Sequence, residues 1–482
     1  MTNVAATPST ALDRGIRIGN REITSTVTSE VVDPYAGTVI GRVSQASADQ
    51  ALDAVSAAYQ ALDQPIPAHE RAAILDRIAH GLVERREELA AMICTEVGKP
   101  ISMARGEVDR AVTTYQLSSA VARLRSNSTV AMDATVAGEG KLGYLVGRPI
   151  GVVTAITPFN FPLNLVAHKL APALAAGCPV VLKPAPQGPF SAFLLADICE
   201  AAGLPEGYLS VVPGDPREIS AAIIEDPRVA AISFTGSAAV GWHIASTAPR
   251  KKVLLELGNA SPAIVEPDAD LDRAAALLTP NAFGFAGQTC VSVQRVYAHA
   301  DIHDALVEKL IERSGGIGVG DPRNAEVTCG PVIDDGAAER TLDAIGQATE
   351  LGASVHTGGE RRSDGVLPPT ILSGVSQRSD LMQKEAFAPV LSVLAVDGFD
   401  QAVEFANDSV YGLQAAIFTS DISKALRATE RLDFGGVLVN EAPAFRTDNM
   451  PYGGVRDSGN TKEGPEWTAA ELTVNRLCIL SK

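Results

Sequence analysis

The chain is short of positive charge: 40 Lys and Arg stand against 57 Asp and Glu, a formal net charge of −17. Such a surface repels phosphodiester backbones and anionic lipid, so neither nucleic acid nor membrane is an expected partner. Cysteine is sparse as well. Cys94, Cys178, Cys199, Cys290, Cys329 and Cys478 are scattered over 482 residues without a CxxC pair. That excludes a disulfide framework and argues against a zinc site. Of the seven histidines only His299 and His303 lie four apart, and no Glu follows the first, so no metal is expected. Long apolar runs are missing, because Pro158, Pro162 and Pro172 cut the best tracts. The first nineteen residues lack the apolar centre of a signal peptide. A cytoplasmic protein is expected. No internal repeat or low-complexity segment occurs, and no GxGxxG follows any predicted strand.

What remains is a long chain, 46% hydrophobic and 20% charged, enough for two or three packed α/β domains. From 48 to 122 apolar residues recur at three- and four-residue spacing, as in Ile74, Ile78, Leu82 and Leu89, which predicts helices broken at Lys99-Pro100. The stretch 126–148 is rich in Asn, Ser, Thr and Gly and reads as short strands and turns. A βαβ alternation begins at Ile150, with strands over 152–156, 180–182, 209–212, 229–234 and 253–257. After Cys290 the alternation resumes with a strand over 293–298, helices over 302–313 and 336–351, and a terminal strand over 472–480.

Ligands of open parallel sheets lie beyond the carboxyl ends of the strands. Asn160, Lys183, Gly214, Gly236 and Ser237 all fall at such ends and are expected to face one crevice. Gly236-Ser237 opens a helix, where backbone N–H groups and the helix dipole can hold a pyrophosphate or simply cap the helix.

Two segments stand out between 253 and 291. Leu254-Leu255-Glu256-Leu257-Gly258 is an apolar strand that stops at a carboxylate. Phe283-Gly284-Phe285-Ala286-Gly287-Gln288-Thr289-Cys290 is a Gly-rich approach to a lone thiol, 34 residues after Glu256. A thiolate can attack a carbonyl carbon, and a carboxylate can activate water to release the product. Each segment alone fits core packing or a surface ion pair better than catalysis.

Together they resemble the active site of the NAD(P)-dependent aldehyde dehydrogenase superfamily, and the resemblance runs from Val31 to Leu480. It points to the non-acylating branch acting on lactaldehyde, semialdehydes and phosphorylated aldehydes. The fold it implies is two open parallel α/β sheet domains plus a small β bridging domain. Residues 1–125 and 148–256 would form the dinucleotide-binding domain and 257–435 the catalytic domain. Residues 126–147 and 460–482 would bridge subunits of a homodimer or homotetramer. The activity implied is oxidation of an aldehyde to its carboxylic acid with NAD or NADP. A CoA-acylating enzyme is the alternative, although branches of that kind tend to lack the Glu256 base. A catalytically silent structural member is a third reading.

The resemblance assigns Cys290 as nucleophile, Glu256 as the base for thioester hydrolysis and Asn160 as an oxyanion donor. For the cofactor it points to Thr157, Phe159, Lys183, Pro186, Gly214, Gly236, Ser237, Leu257, Glu385 and Phe387. Pro186 stands where many NAD-preferring relatives carry a glutamate, Tyr452 where they carry Phe, and Arg456 where they carry Lys. Around the substrate it points to Arg110, Phe161, Thr289, Val291 and Arg446. Two arginines would grip an anionic aldehyde. Alternatively, Arg446 pairs with Asp448 and Arg110 with Glu107 at the surface.

Overall fold

The computed structural model describes residues 12–124 and 127–481. Residues 1–11, 125–126 and 482 lie outside the described residues. Two seven-stranded sheets organise the molecule. The first runs in the order Lys252–Glu256, Val229–Thr235, Val152–Ile156, Val180–Lys183, Leu209–Val211, Ile16–Ile18 and Arg21–Ile23. Its first five strands are parallel, and Ile16–Ile18 joins Leu209–Val211 antiparallel. The second runs Ser354–Thr357, Thr370–Ser373, Val390–Val396, Val293–His299, Ser261–Val265, Gln414–Phe418 and Gly436–Val439. It is parallel except for its first, edge strand.

The expected alternation is present, with helices such as Asn164–Ala176, Pro189–Ala201 and Ala238–Thr247 between strands of the first sheet. Its continuous apolar strands are those of a sheet covered on both faces. Helices Ala48–Ala61, Ala68–Glu84, Arg86–Val97 and Ile101–Leu124 occupy the N-terminal helical stretch. One central strand departs from the sequence reading, which ended the series at Leu257 and resumed it after Cys290. Ser261–Val265 lies in the middle of the second sheet. Pro262 argues against a central strand, but the register with Val293–His299 shifts between Ser261 and Pro262, so the ladder absorbs it.

A separate antiparallel sheet joins Thr129–Val130, Lys141–Pro149 and Thr473–Ser481. It leaves Leu142, Val474, Leu477, Ile479 and Leu480 exposed. Among the described residues no helix is long and apolar enough to cross a membrane, and no cluster of His, Cys, Asp and Glu could hold a metal ion.

Candidate active site

Local backbone delivers the thiol. Helix Leu271–Phe283 ends in a tight turn where Phe285 (φ 50°) and Ala286 (φ 53°) are left-handed, followed by Gly287 at φ 68°. A Cβ on Gly287 would sit 2.1 Å from the Ala388 carbonyl oxygen, so only glycine fits. Left-handed non-glycine residues cost about 1–3 kcal/mol each and persist where the surroundings over-determine them. Here Gln288 fixes the turn: its Nε2 donates to the carbonyls of Phe285 and Pro331, and its Oε1 accepts from the Ile333 N–H.

The Gln288 carbonyl also accepts from Asn160 Nδ2 at 3.0 Å, which brings the segment after the first β-strand of the alternation against the thiol turn. Asn160 is 3% exposed and its Oδ1 has no hydrogen-bond partner. The second N–H of its amide is available to an incoming oxygen. Beneath it, Glu107 accepts from the Leu163 and Asn164 N–H groups and holds the start of helix Asn164–Ala176. The buried Lys99 partners Glu107 and lies 3.6 Å from the Phe161 ring centroid.

Cys290 Sγ is 2.7 Å from the Tyr452 hydroxyl. Burial pushes the thiol up to about 11, while Tyr452 and the Arg446 charge pull it back. Val291 is buried beside Tyr452 and Leu413. Glu256 is 4% exposed and neither carboxyl oxygen has a hydrogen-bond partner. Burial, then the neighbouring charge of Glu463, raise it well above the carboxylate range. Arg446, Lys169 and Lys462 pull the other way. A buried carboxyl without partners is costly, and such groups concentrate where chemistry needs them.

Around these groups runs a buried ion network. Arg446 reaches Glu463 at 2.8 Å, and Glu463 reaches Lys169 at 3.3 Å. Asp448 accepts from Arg110 at 2.8 Å and meets His168 Nε2 at 2.9 Å. The surface pairings considered from sequence are therefore wrong: Arg446 is bound to Glu463 rather than Asp448, and Arg110 to Asp448 rather than Glu107. Glu107 is already engaged by Lys99, and chain folding, not sequence proximity, supplies the partners. Burial would raise Glu463 and Asp448, but the surrounding cations and His168 hold both well below the usual range. Burial and Arg446 lower His168, opposed by its contact with Asp448 and the charge of Glu463. Three cations, Arg110, Lys169 and Arg446, thus share two carboxylates, Asp448 and Glu463.

Toward the first sheet, Lys183 is buried with only a 3.5 Å approach to the Pro184 carbonyl, and burial lowers its ammonium to about 8 against the charge of Asp215. Thr157 donates its N–H to the Lys183 carbonyl at 3.3 Å, tying the two strand ends together. Gly214 is buried, and Pro186 is exposed. Gly236 donates its N–H to the Glu256 carbonyl at 3.1 Å. Ser237 is exposed at the start of Ala238–Thr247 with its side chain unused as a cap. Leu257 is buried, its N–H on the Ser458 carbonyl at 3.0 Å. Across the cleft, Phe387 (φ 49°) meets Phe159 edge to face at 5.9 Å. Thr289, Glu385 and Phe387 line one small cavity. Burial raises Glu385 to about 7, opposed by the Asn259 N–H at 3.0 Å.

A nearly unpartnered ammonium, a buried carboxyl and an open helix N-terminus are groups that suit the ribose hydroxyls and pyrophosphate of a dinucleotide. Sequence reasoning missed Tyr452, Glu463, Lys169, His168 and Lys462 as members of this site. Tyr452 left a trace as a Tyr in place of Phe. The ions left none, because their pairing is long-range.

The profile described as the aldehyde dehydrogenase family matches residues 22–477. A 3-sulfolactaldehyde dehydrogenase from Priestia aryabhattai is 42% identical over 467 residues, 97% of this chain and 98% of that protein. The crystal structure of aldehyde dehydrogenase 21 from Physcomitrella patens, in complex with the reaction product succinate, superposes with a TM-score of 0.93 at 34% identity, covering 98% of this chain and 99% of that one. The NADP complex of an NADP-dependent glyceraldehyde-3-phosphate dehydrogenase from Bacillus halodurans C-125 gives 0.95 at 33% identity, covering 98% and 99%.

Proposed function

We propose, from the premise that the chain belongs to the aldehyde dehydrogenase family, that its substrate is a short aldehyde carrying a sulfonate, phosphate or carboxylate. The enzyme oxidises an aldehyde to its carboxylic acid through a cysteine thiohemiacetal and thioester, with NAD or NADP as cofactor. The observation that carries the substrate reading is the excess of cations over carboxylates in the Arg110–Lys169–Arg446 network, three sharing Asp448 and Glu463, one tyrosine ring away from Cys290. Two buried cations on one carboxylate are costly, and a substrate anion relieves them. The named substrate of the Priestia relative and the named product of the Physcomitrella relative are both short and anionic.

On this reading Cys290 attacks the carbonyl carbon, and Asn160 together with the Cys290 N–H receives the developing oxyanion, about 3 kcal/mol of barrier per donor. Lys183, Ser237 and Gly236 hold the adenosine ribose and pyrophosphate, and Glu385 and Phe387 the nicotinamide ribose, with Thr157, Phe159, Gly214 and Leu257 shaping the floor. The bound nicotinamide supplies the hydride acceptor. Glu256, once ionised, draws a proton from water for attack on the thioester. Phe161, Thr289 and Val291 line the aldehyde's path. Residues 12–124 and 148–256 form the cofactor domain, and the catalytic domain, expected over 257–435, extends to Val439, because strand Gly436–Val439 completes the second sheet. The exposed apolar face around Lys141–Pro149 and Thr473–Ser481 supports subunit bridging by 126–147 and 460–482, in a homodimer or homotetramer.

The test is kcat/KM for sulfonated, phosphorylated and carboxylated C3–C4 aldehydes against propanal. An advantage of about tenfold or more, ~1.4 kcal/mol, is expected for at least one anion. Equal or better use of propanal overturns the substrate reading and leaves the family intact.

A further inference from the structure

We propose that the Tyr452 hydroxyl is the standing hydrogen-bond donor to the Cys290 sulfur and sets how much of that sulfur is thiolate before substrate arrives. The inference rests on Cys290 being the nucleophile. The contact is direct, 2.7 Å between the hydroxyl oxygen and Sγ, and a neutral phenol beside a thiolate can only donate.

The ring cannot turn away. Tyr452 is 3% exposed, and its N–H donates to the Glu463 carbonyl at 2.9 Å while its own carbonyl accepts from the Glu463 N–H. Val291 and Leu413 pack against it. Arg446 covers one ring face, its guanidinium carbon 3.8 Å from the centroid. A cation over the π-face draws electron density from the ring and makes the O–H a stronger donor. Burial keeps the phenol protonated, since its own titration is pushed well above 10.

The other charges facing the sulfur are few. Arg446 favours the thiolate, whereas Glu385 and Glu256 oppose it less strongly than the Tyr452 hydrogen bond supports it. The hydrogen bond from Tyr452 is therefore the main local support for the anion.

The step balances simply. The Cys290 proton leaves to solvent water, and Tyr452 keeps its own proton throughout. A sulfur lone pair then forms the S–C bond as the carbonyl π pair moves to oxygen, and the O–H···S contact weakens because that pair is now shared. Tyr452 thus stabilises the state before attack. Losing it makes thiolate scarcer, yet a thiolate of higher pKa is the better nucleophile once formed.

The experiment follows iodoacetamide alkylation of Cys290, read by peptide mass spectrometry from pH 6 to pH 10, in the full-length wild type, in Tyr452→Phe and in wild-type protein made with fluorotyrosine. With the thiol pushed up to about 11, this range lies below the midpoint and the rate tracks the thiolate fraction. A charge-assisted hydrogen bond shifts a titration by about one to two pH units, and the higher nucleophilicity of the more basic thiolate offsets part of it. The Tyr452→Phe rate is therefore expected to fall by about three- to tenfold at every pH, and an unchanged or higher rate overturns the proposal. Fluorotyrosine, a more acidic donor of nearly the same shape, should alkylate faster than wild type at the same pH. An unchanged or slower rate there overturns the proposal too, because a ring that merely places the sulfur does not respond to the acidity of its O–H, and this arm stands if Tyr452→Phe unfolds. Turnover that survives complete Cys290 alkylation rejects the nucleophile itself, an outcome separate from any change in alkylation rate.

Discussion

The Glu256 carboxyl lies against the backbone of Gly453, so close that a Cβ there would come within 2.7 Å of its Oε1. Tyr452, the preceding residue, holds the Cys290 sulfur. One dipeptide thus touches both the thiol and the carboxyl, though Glu256 ends a strand of the first sheet and Cys290, 34 residues on, lies in the turn before strand Val293–His299 of the second. Glu256→Gln should therefore separate the two half-reactions. A burst of reduced cofactor should persist, and the steady rate that follows should drop by about 10²–10⁴-fold, the range for a general base. In wild type that steady rate should climb with pH, since Glu256 must lose its proton to act; in Glu256→Gln it should be flat. Stopped-flow absorbance shows both phases. Loss of the burst in a folded variant would place Glu256 earlier in the reaction.

The same carboxyl shapes stability. Its folded titration lies well above the ordinary value, so the native state binds its proton more tightly than the unfolded chain does. The stability this confers is complete below an unfolded pKa of about 4.3 and is lost as pH rises through the folded value. Glu256→Gln should consequently raise Tm relative to wild type at pH 8, with the gain shrinking as pH falls toward 4.3. Thermal melts across that range decide it. A gain that grows on acidification contradicts the assignment of the proton.

Much of this was legible in sequence because it is local. Parallel strands such as Val180–Lys183 read as buried apolar runs, and the candidate site residues Asn160, Lys183 and Glu256 sit at or just beyond strand ends. Long-range electrostatics was not legible. Lys169 and Glu463 are 294 positions apart, and no pattern in either segment announces the pair. Pro262 concealed a central strand because its tolerance depends on a register shift visible only in the assembled sheet.

Cys290→Ser should lower kcat/KM by more than about a hundredfold, ~2.7 kcal/mol, with cofactor affinity unchanged. The hydroxyl replaces the sulfur with a far weaker acid, so little nucleophile forms at neutral pH. Activity within about tenfold of wild type would reassign the nucleophile. Fluorescence titration with reduced cofactor checks that the cleft is intact.

Pro186 is exposed beside the buried Lys183 and offers neither a carboxylate for ribose hydroxyls nor a charge against a 2′-phosphate. NADP should therefore support turnover at a rate comparable to NAD. Pro186→Glu should shift the ratio toward NAD by several-fold, a modest effect because an exposed charge pair is worth about 1 kcal/mol or less. A wild-type preference for NAD above about a hundredfold, ~2.7 kcal/mol, would mean another group rejects the phosphate.

Arg446 is the sharpest probe of the substrate, and the structure decides which variant to make. Arg446→Leu would leave Glu463 with Lys169 as its one close ion-pair partner and remove a charge that keeps Glu256 ionisable. It would slow every aldehyde, anionic or not. Arg446→Lys retains the positive charge near Glu463 but loses the planar fork that grips an oxyanion at two points and stacks on Tyr452. KM for an anionic aldehyde should therefore rise by about three- to tenfold, one charge-assisted hydrogen bond's share. Propanal, which offers no anion to the fork, should change by less than about twofold. Steady-state kinetics on both substrates at matched ionic strength measures the difference. Equal changes on the two would confine Arg446 to holding Glu463, and the surplus cation would then serve Glu256 rather than the substrate.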